Sequence, residues 1–355
     1  MCRAFGEPLV VEEVTLSPPG PGEIRVRLGA CAICHSDIHY AEGAWGGQLP
    51  AVYGHEAAGE VVATGEGVAG FAPGDRVVVT LIRSCGECAF CVEGNEVFCE
   101  RAFSLDARDV IHDHAGRGLH QAMRTGAFAE EVVVHASQAV VIPPDMPYDV
   151  ASLIACGVLT GFGAVTNTAG VRRGESVAVI GTGGVGINTL QAARHVGASP
   201  VIAIDLSEEK LAAAPGFGAT HTVNPARRDA QAAVLELTRD RGVHYAFVTV
   251  GAKKAIEQAA GLVRKGGAIV IVGMPASGVM AEYDPSTLAA YGIRIVGSKM
   301  GSARIARDIP MLVDLYRRGE LLLDPLISGR YALCDINEAI ASVNRGEALR
   351  NVIVF

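Results

Sequence analysis

The sequence predicts an α/β chain of two domains, a small β-barrel and a doubly wound parallel sheet, and three observations carry that expectation. At 355 residues the chain is long for a single hydrophobic core. From Leu9 to about Gly74 it reads as short alternating strands split by Pro-Gly and Gly-Asp turns, the pattern of a small barrel or sandwich. From Ser176 onward, apolar strand runs alternate with helix-compatible segments, starting at a glycine-rich turn.

Composition narrows the function. Half the residues are hydrophobic and 43 are glycine, as in a packed globular protein with many tight turns. A net charge of -8 without a basic block argues against nucleic acid or an anionic membrane as a partner. The uncharged run Val150 to Val171 is long enough to span a membrane. It carries Ser152, Thr160, Thr166, Asn167, Thr168 and four glycines, and it lacks flanking aromatic anchors, so a buried helix is expected instead. The residues from Met1 to Pro8 show no export signal, so a cytoplasmic location is expected, with the nine cysteines metal-bound or inert rather than in disulfides.

In the first domain, Ile24–Leu28 and Glu60–Ala63 read as strands, and Pro73-Gly-Asp-Arg76 turns the chain into Val77–Thr80. Between the first two strands lies a stretch dense in chemistry, Cys31 to Glu56. It offers Cys34 and His55 as metal donors, with Ser36, Asp37 and His39 nearby. A catalytic zinc takes three protein ligands and leaves one position open, so a third donor must come from elsewhere. Cys31-Ala-Ile-Cys34-His35 also matches a haem-attachment string, which requires export, and a plain dithiol pair or ordinary buried thiols are the other readings.

Cys85, Cys88, Cys91 and Cys99 follow within fifteen residues. Four thiolates can close a tetrahedron around one structural zinc and leave no open corner; an iron-sulfur cluster is the second choice. From Glu100 to Thr125 the chain is polar, and despite His112, His114 and His120 it is expected to be a solvated lid or rim. Strands resume at Ala129–Val134, and Cys156 alone reads as a core cysteine.

In the second domain, strand Ser176–Ile180 runs into Gly181-Thr182-Gly183-Gly184-Val185-Gly186. A helix to about Val196 and the strand Val201–Ile204, ending in Asp205, come next. This is a full dinucleotide fingerprint: the glycines admit the pyrophosphate at a helix N-terminus and the acid takes the ribose hydroxyls. Asp205 repels a 2′-phosphate, which favours NAD over NADP. Strands at Tyr245–Val250, Ala268–Val272 and Ile293–Val296, with a helix near Ala255 to Val263, complete the sheet. Ile305–Arg318 is helical, and the strand Asn351–Phe355 is free to return to the first domain.

Gly54-His55-Glu56, the four-cysteine lobe, Cys156 and the glycine fingerprint together make nearly the whole chain resemble the zinc-dependent medium-chain alcohol dehydrogenases. The resemblance implies a GroES-like catalytic domain over residues 1–157 and 298–355, with a structural zinc lobe at 85–99, and a Rossmann NAD-binding domain over 158–297. It implies that Cys34, His55 and Cys156 bind the catalytic zinc, with Glu56 a carboxylate near it and Asp37 bonded to His55. Ser36 is then the first proton acceptor and His39 the relay to solvent.

By the same likeness Lys210 joins Asp205 on the adenosine ribose, His35 and Arg350 approach the pyrophosphate, and Thr160 and Val185 back the nicotinamide. Trp45 and Leu81 match pocket-lining positions. Phe103, a further candidate for the pocket, stands where the glutathione-adduct branch carries an arginine, with Arg101 nearby. The expected reaction is reversible oxidation of primary alcohols, aromatic or of medium chain length, to aldehydes. The rivals are a dehydrogenase of thiol-formaldehyde adducts and a non-catalytic NAD-binding zinc scaffold; the intact ligand set and Ser36 argue against the latter. The family likeness also implies a homodimer or homotetramer built partly through the edge strand near Ile293–Val296.

Overall fold

The computed structural model describes residues 1–355 and divides them into two compact units, Met1–Gly157 with Arg304–Phe355, and Val158–Ala303. Strand Glu23–Ala32 is central to the first unit. It pairs antiparallel with Glu56–Thr64, with Glu131–His135 over its first half, and with Arg350–Val354 at its end. Ile24, Val26, Leu28 and Ala30 point inward and are buried, while Arg27 is exposed, the two-residue period of a half-buried strand. The C-terminal strand thus returns to the first domain, setting Ile353 opposite Cys31 and Val352 opposite Ala32.

The stretch 100–125 is not the solvated loop expected from its polarity. It contains strands Ile111–His112 and Gly118–Gln121, which join Thr15–Leu16 and Ala51–Val52 in a second, four-stranded sheet. Val110, Ile111 and Leu119 are buried in a separate apolar cluster with Val52, Leu105 and Val133. Three isolated apolar residues in a polar stretch show no period, yet each meets a partner distant in sequence. His112 bonds to the Ser17 hydroxyl at 3.2 Å, and His114 and His120 are exposed.

A buried polar network ties this stretch to the barrel. Arg83, 2% exposed, donates to the Gln138 side chain and to Asp106, both at 2.8 Å, and to the Arg124 carbonyl at 3.3 Å. Burial pulls its pKa down to about 10 against the opposing pull of Asp106. Fully buried Glu23 accepts from the Ser104 hydroxyl at 2.7 Å and pairs with Arg108. Arg83→Met removes the ion partner of Asp106 and leaves the Gln138 oxygen to the longer bond from the His135 amide, 3.3 Å, so chemical denaturation should show a loss of about 3 kcal/mol. A loss below about 1 kcal/mol would mean the network is solvated.

The second unit is a six-stranded, wholly parallel sheet. Its order is His221–Val223, Val201–Ile204, Val177–Ile180, Val243–Val248, Val263–Ile271, Arg294–Gly297. The order reverses at Val177–Ile180, the position where doubly wound sheets bind ligands beyond their carboxyl ends. The return to the first unit comes at Arg304 rather than at residue 298, because the turn Met300–Ser302 packs onto helix Leu159–Gly163. There the backbones of Gly163 and Gly301 touch closely enough to exclude a side chain. Tyr148–Ala169 is the one helical stretch long and apolar enough to cross a membrane, and 89% of its apolar window is buried.

Candidate active site and metal centres

Cys34 lies two residues past the end of the central strand, Ala32, and caps helix His35–Ala41. Asp37, 1% exposed in the first turn, organises the site through both oxygens. One accepts the Cys34 amide at 3.1 Å; the other accepts the Gly54 amide at 2.9 Å and lies 3.1 Å from His55 Nδ1. Gly54 is required by its backbone: φ is 94°, and a Cβ would lie 2.5 Å from the Phe128 amide nitrogen. With Nδ1–H committed to Asp37, the His55 lone pair sits on Nε2, which is buried and has no partner within the protein.

Cys156 completes the group from a widened π-helical turn, Ile154–Val158, a distortion that recurs at functional sites. Donor atoms of Cys34, His55, Glu56 and Cys156 all lie within 4.8 Å of one another, and all four residues are buried. The hydrogen bond from Cys156, then His55, holds the Cys34 thiol well below its usual range, and the same bond with burial pushes Cys156 well above. Burial disfavours charge on His55, but Asp37 and then Cys34 outweigh it and raise the imidazole pKa.

Burial lifts Glu56 to about 7 against the pull of Arg350, its ion-pair partner. Two sulfurs and an orphaned imidazole nitrogen, gathered where water is excluded, are the donor set of a three-ligand catalytic zinc. The Ser36 hydroxyl lies 3.6 Å from the Cys34 sulfur.

The lobe's four cysteine sulfurs also lie within 4.8 Å of one another. Amides of Glu87 and Cys88 point at the Cys85 sulfur, at 3.4 and 3.2 Å, and they lower its pKa to about 6. These donors fit a closed, thiolate-only metal site, as the spacing predicts.

In the second unit the glycine turn leaves strand Val177–Ile180, and Gly184, Val185 and Gly186 form the first turn of helix Gly184–His195, capped by Gly183. Asp205, at the end of the neighbouring strand, is braced from both sides. The Thr182 amide and hydroxyl reach one oxygen at 2.6 and 3.0 Å, and the Ser207 amide reaches the other at 2.9 Å. Lys210 lies on the helix that Ser207 caps. Thr160 is 7% exposed, with its hydroxyl 3.7 Å from the Met300 sulfur.

Other expected residues are placed less directly. Trp45 packs between His39 and Tyr40, His35 is exposed one turn before His39, and Leu81 is half-buried beside the barrel strand. Phe103 is half-buried and packs edge-on against His135 at 4.7 Å and over Arg83 at 5.3 Å, beside the polar network. Arg350, 5% exposed, is engaged with Glu56. That pairing spans nearly three hundred residues and has no local sequence signal, and neither has the bracing of Asp205 by Thr182.

Two family models match, the alcohol dehydrogenase GroES-like domain over residues 20–144 and the zinc-binding dehydrogenase over residues 184–318. The class-3 alcohol dehydrogenase of Zea mays is 37% identical across 98% of this chain and 94% of its own. A solved alcohol dehydrogenase zinc-binding domain protein from Burkholderia ambifaria superposes with a TM-score of 0.95 at 34% identity, covering 100% of this chain and 97% of that one. Benzyl alcohol dehydrogenase from Acinetobacter calcoaceticus gives 0.89 at 32% identity, covering 96% and 94%. With its GroES-like domain, its Rossmann-like parallel sheet and its buried Cys34–His55–Cys156 set, the chain belongs to the zinc-dependent medium-chain alcohol dehydrogenases.

Proposed function

We propose that this enzyme uses NAD and two zinc ions per chain to oxidise primary alcohols, aromatic or of medium chain length, reversibly to aldehydes. The observation that carries the reading is the unpartnered His55 Nε2 buried with two thiols beside the Ser36 hydroxyl. The chemistry supplied at Cys34, His55 and Cys156 when zinc is bound is Lewis acidity toward a hydroxyl oxygen, and NAD supplies the hydride acceptor.

The chain's own residues do the rest. Two thiolates offset the metal's charge, and Asp37 fixes the ring of His55. Ser36 takes the hydroxyl proton, and His39, three residues on along the same helix face, delivers it to solvent. Asp205 and Lys210 hold the adenosine ribose, His35 and Arg350 serve the pyrophosphate, Thr160 and Val185 back the nicotinamide, and Leu81 stands near the alcohol. The nine cysteines, none of them in a disulfide, suit a reducing cytoplasm. The edge strand Arg294–Gly297 exposes Ile295, which supports association into a homodimer or homotetramer.

NADH formation with benzyl alcohol, ethanol and longer alkanols, set against formaldehyde premixed with a small thiol, tests the substrate class. The benzyl alcohol dehydrogenase likeness supports a preference for free aromatic alcohols. A preference for the thiol adduct would overturn it. Asp205→Ala should raise the KM for NAD roughly 10- to 100-fold, the worth of charge-assisted hydrogen bonds to two hydroxyls, and leave the KM for NADP unchanged or lower. An equal rise for both cofactors would show that Asp205 acts only through Thr182 and Ser207.

A further inference from the structure

We propose that Trp45 is a positioning residue for the His39 imidazole, setting that ring in the proton path from Ser36 to solvent, rather than a wall of the alcohol pocket. The proposal rests on the reading of Ser36 and His39 as that path.

The local backbone dictates the contact. Helix His35–Ala41 closes at Glu42 with Gly43 in the left-handed region, φ 79°. The Gly43 amide bonds back to the Tyr40 carbonyl at 3.0 Å and the Ala44 amide to the His39 carbonyl at 2.9 Å. That pair of bonds is a Schellman turn, and it folds the chain over the last helical turn. A Cβ at Gly43 would also press on the Phe5 ring at 3.0 Å, so the turn has little freedom to open.

Trp45 consequently lands on the helix end, its ring centroid 5.1 Å from both His39 and Tyr40, tilted 48° to the first and edge-on to the second. Tyr40 is held in turn. It stacks on Tyr53 at 6.4 Å, and the Tyr53 hydroxyl donates to the Tyr40 carbonyl at 3.2 Å. The imidazole therefore rests between a fixed indole and the ring of His35, 6.4 Å away on its own helix.

A relay histidine must present one nitrogen to the incoming proton and the other to water, which only some rotamers do. An aromatic contact of this kind biases one rotamer by about threefold to tenfold.

Trp45 is the sole tryptophan, so its emission reads the contact directly in the full-length, zinc-loaded protein without cofactor. His39→Gln should change the emission intensity at unchanged circular dichroism; identical emission overturns the contact. In turnover, Trp45→Ala should lower kcat about tenfold for ethanol, hexanol and benzyl alcohol alike, with KM nearly constant. Trp45→Phe should recover most of the loss, and imidazole in the buffer part of it.

In the His39→Gln background, Trp45→Ala should add nothing further. A KM change that tracks alcohol size, with the same loss in both backgrounds, overturns the positioning role alone. Unchanged turnover in His39→Gln itself overturns the relay reading and this proposal with it.

Discussion

Cys156→Ala should leave the purified enzyme with one zinc per chain in place of two and cut benzyl alcohol oxidation by about a thousandfold. The three donors are close-set and buried, and no unused cysteine or histidine stands in the group to replace the lost sulfur. The remaining carboxylate, Glu56, is tied to Arg350. Lewis-acid stabilisation of a developing negative oxygen is worth several kcal/mol, and each 1.36 kcal/mol is a factor of ten in rate.

The substitution should spare the fold. Cys156 lies in an irregular helical turn rather than in a strand ladder, and trimming its sulfur leaves the backbone hydrogen bonds intact. Metal analysis by mass spectrometry and circular dichroism should therefore report one missing zinc and an unchanged spectrum. Two retained zinc ions with normal turnover would remove Cys156 from the ligand set. Loss of both ions would show that the two sites are not independent.

The sequence was informative wherever chemistry is written into close spacing. The four cysteines of the lobe and the run Gly181 to Gly186 could each be read locally, because a thiolate tetrahedron or a pyrophosphate turn needs particular residue types within a few positions. The main sheet of each unit was legible for a related reason, since strand periodicity is a local signal, whereas the four-stranded sheet was not. What escaped was set by partners far along the chain. Val110, Ile111 and Leu119 make a core only because Val52 and Val133 cover them, and the salt bridge that ties Glu56 to Arg350 closes only when the last strand returns.

The surroundings of Phe103 were out of reach for the same reason: its neighbours, Arg83 and His135, come from two other segments of the barrel. The π turn at Cys156 has no sequence code either. It carries a cysteine that alone reads as core filler into the group of donors formed by Cys34, His55 and Glu56.

Cys91→Ser should have the largest structural effect, confined to the lobe. Between Cys85 and Cys99 only Cys91, Val97 and Cys99 are buried, whereas Phe90, Val92 and Phe98 are 37%, 74% and 44% exposed. The lobe's short helix, Ala89–Val92, and single turn, Glu96–Phe98, are too brief to hold themselves together. A segment with its apolar residues outside has no core of its own, and the proposed metal would serve as that core. The apparent binding free energy of structural zinc, about 10–16 kcal/mol in small metal-dependent folds, then becomes the lobe's folding free energy.

One tether to the rest of the unit is the Arg304 guanidinium on the Gly94 carbonyl, at 2.9 Å. A bond of that kind contributes only about 1.5–3 kcal/mol, which cannot replace the metal. Hydrogen exchange should therefore lose at least about a thousandfold protection at the amides of Val92, Glu93, Asn95 and Phe98, which now bond within the lobe, while Val26 and Val78 in the barrel stay protected. One zinc should be lost, and limited proteolysis should cut within 85–99. Retention of both zinc ions and full lobe protection would mean that contacts such as Arg304 to Gly94 hold the lobe without its metal.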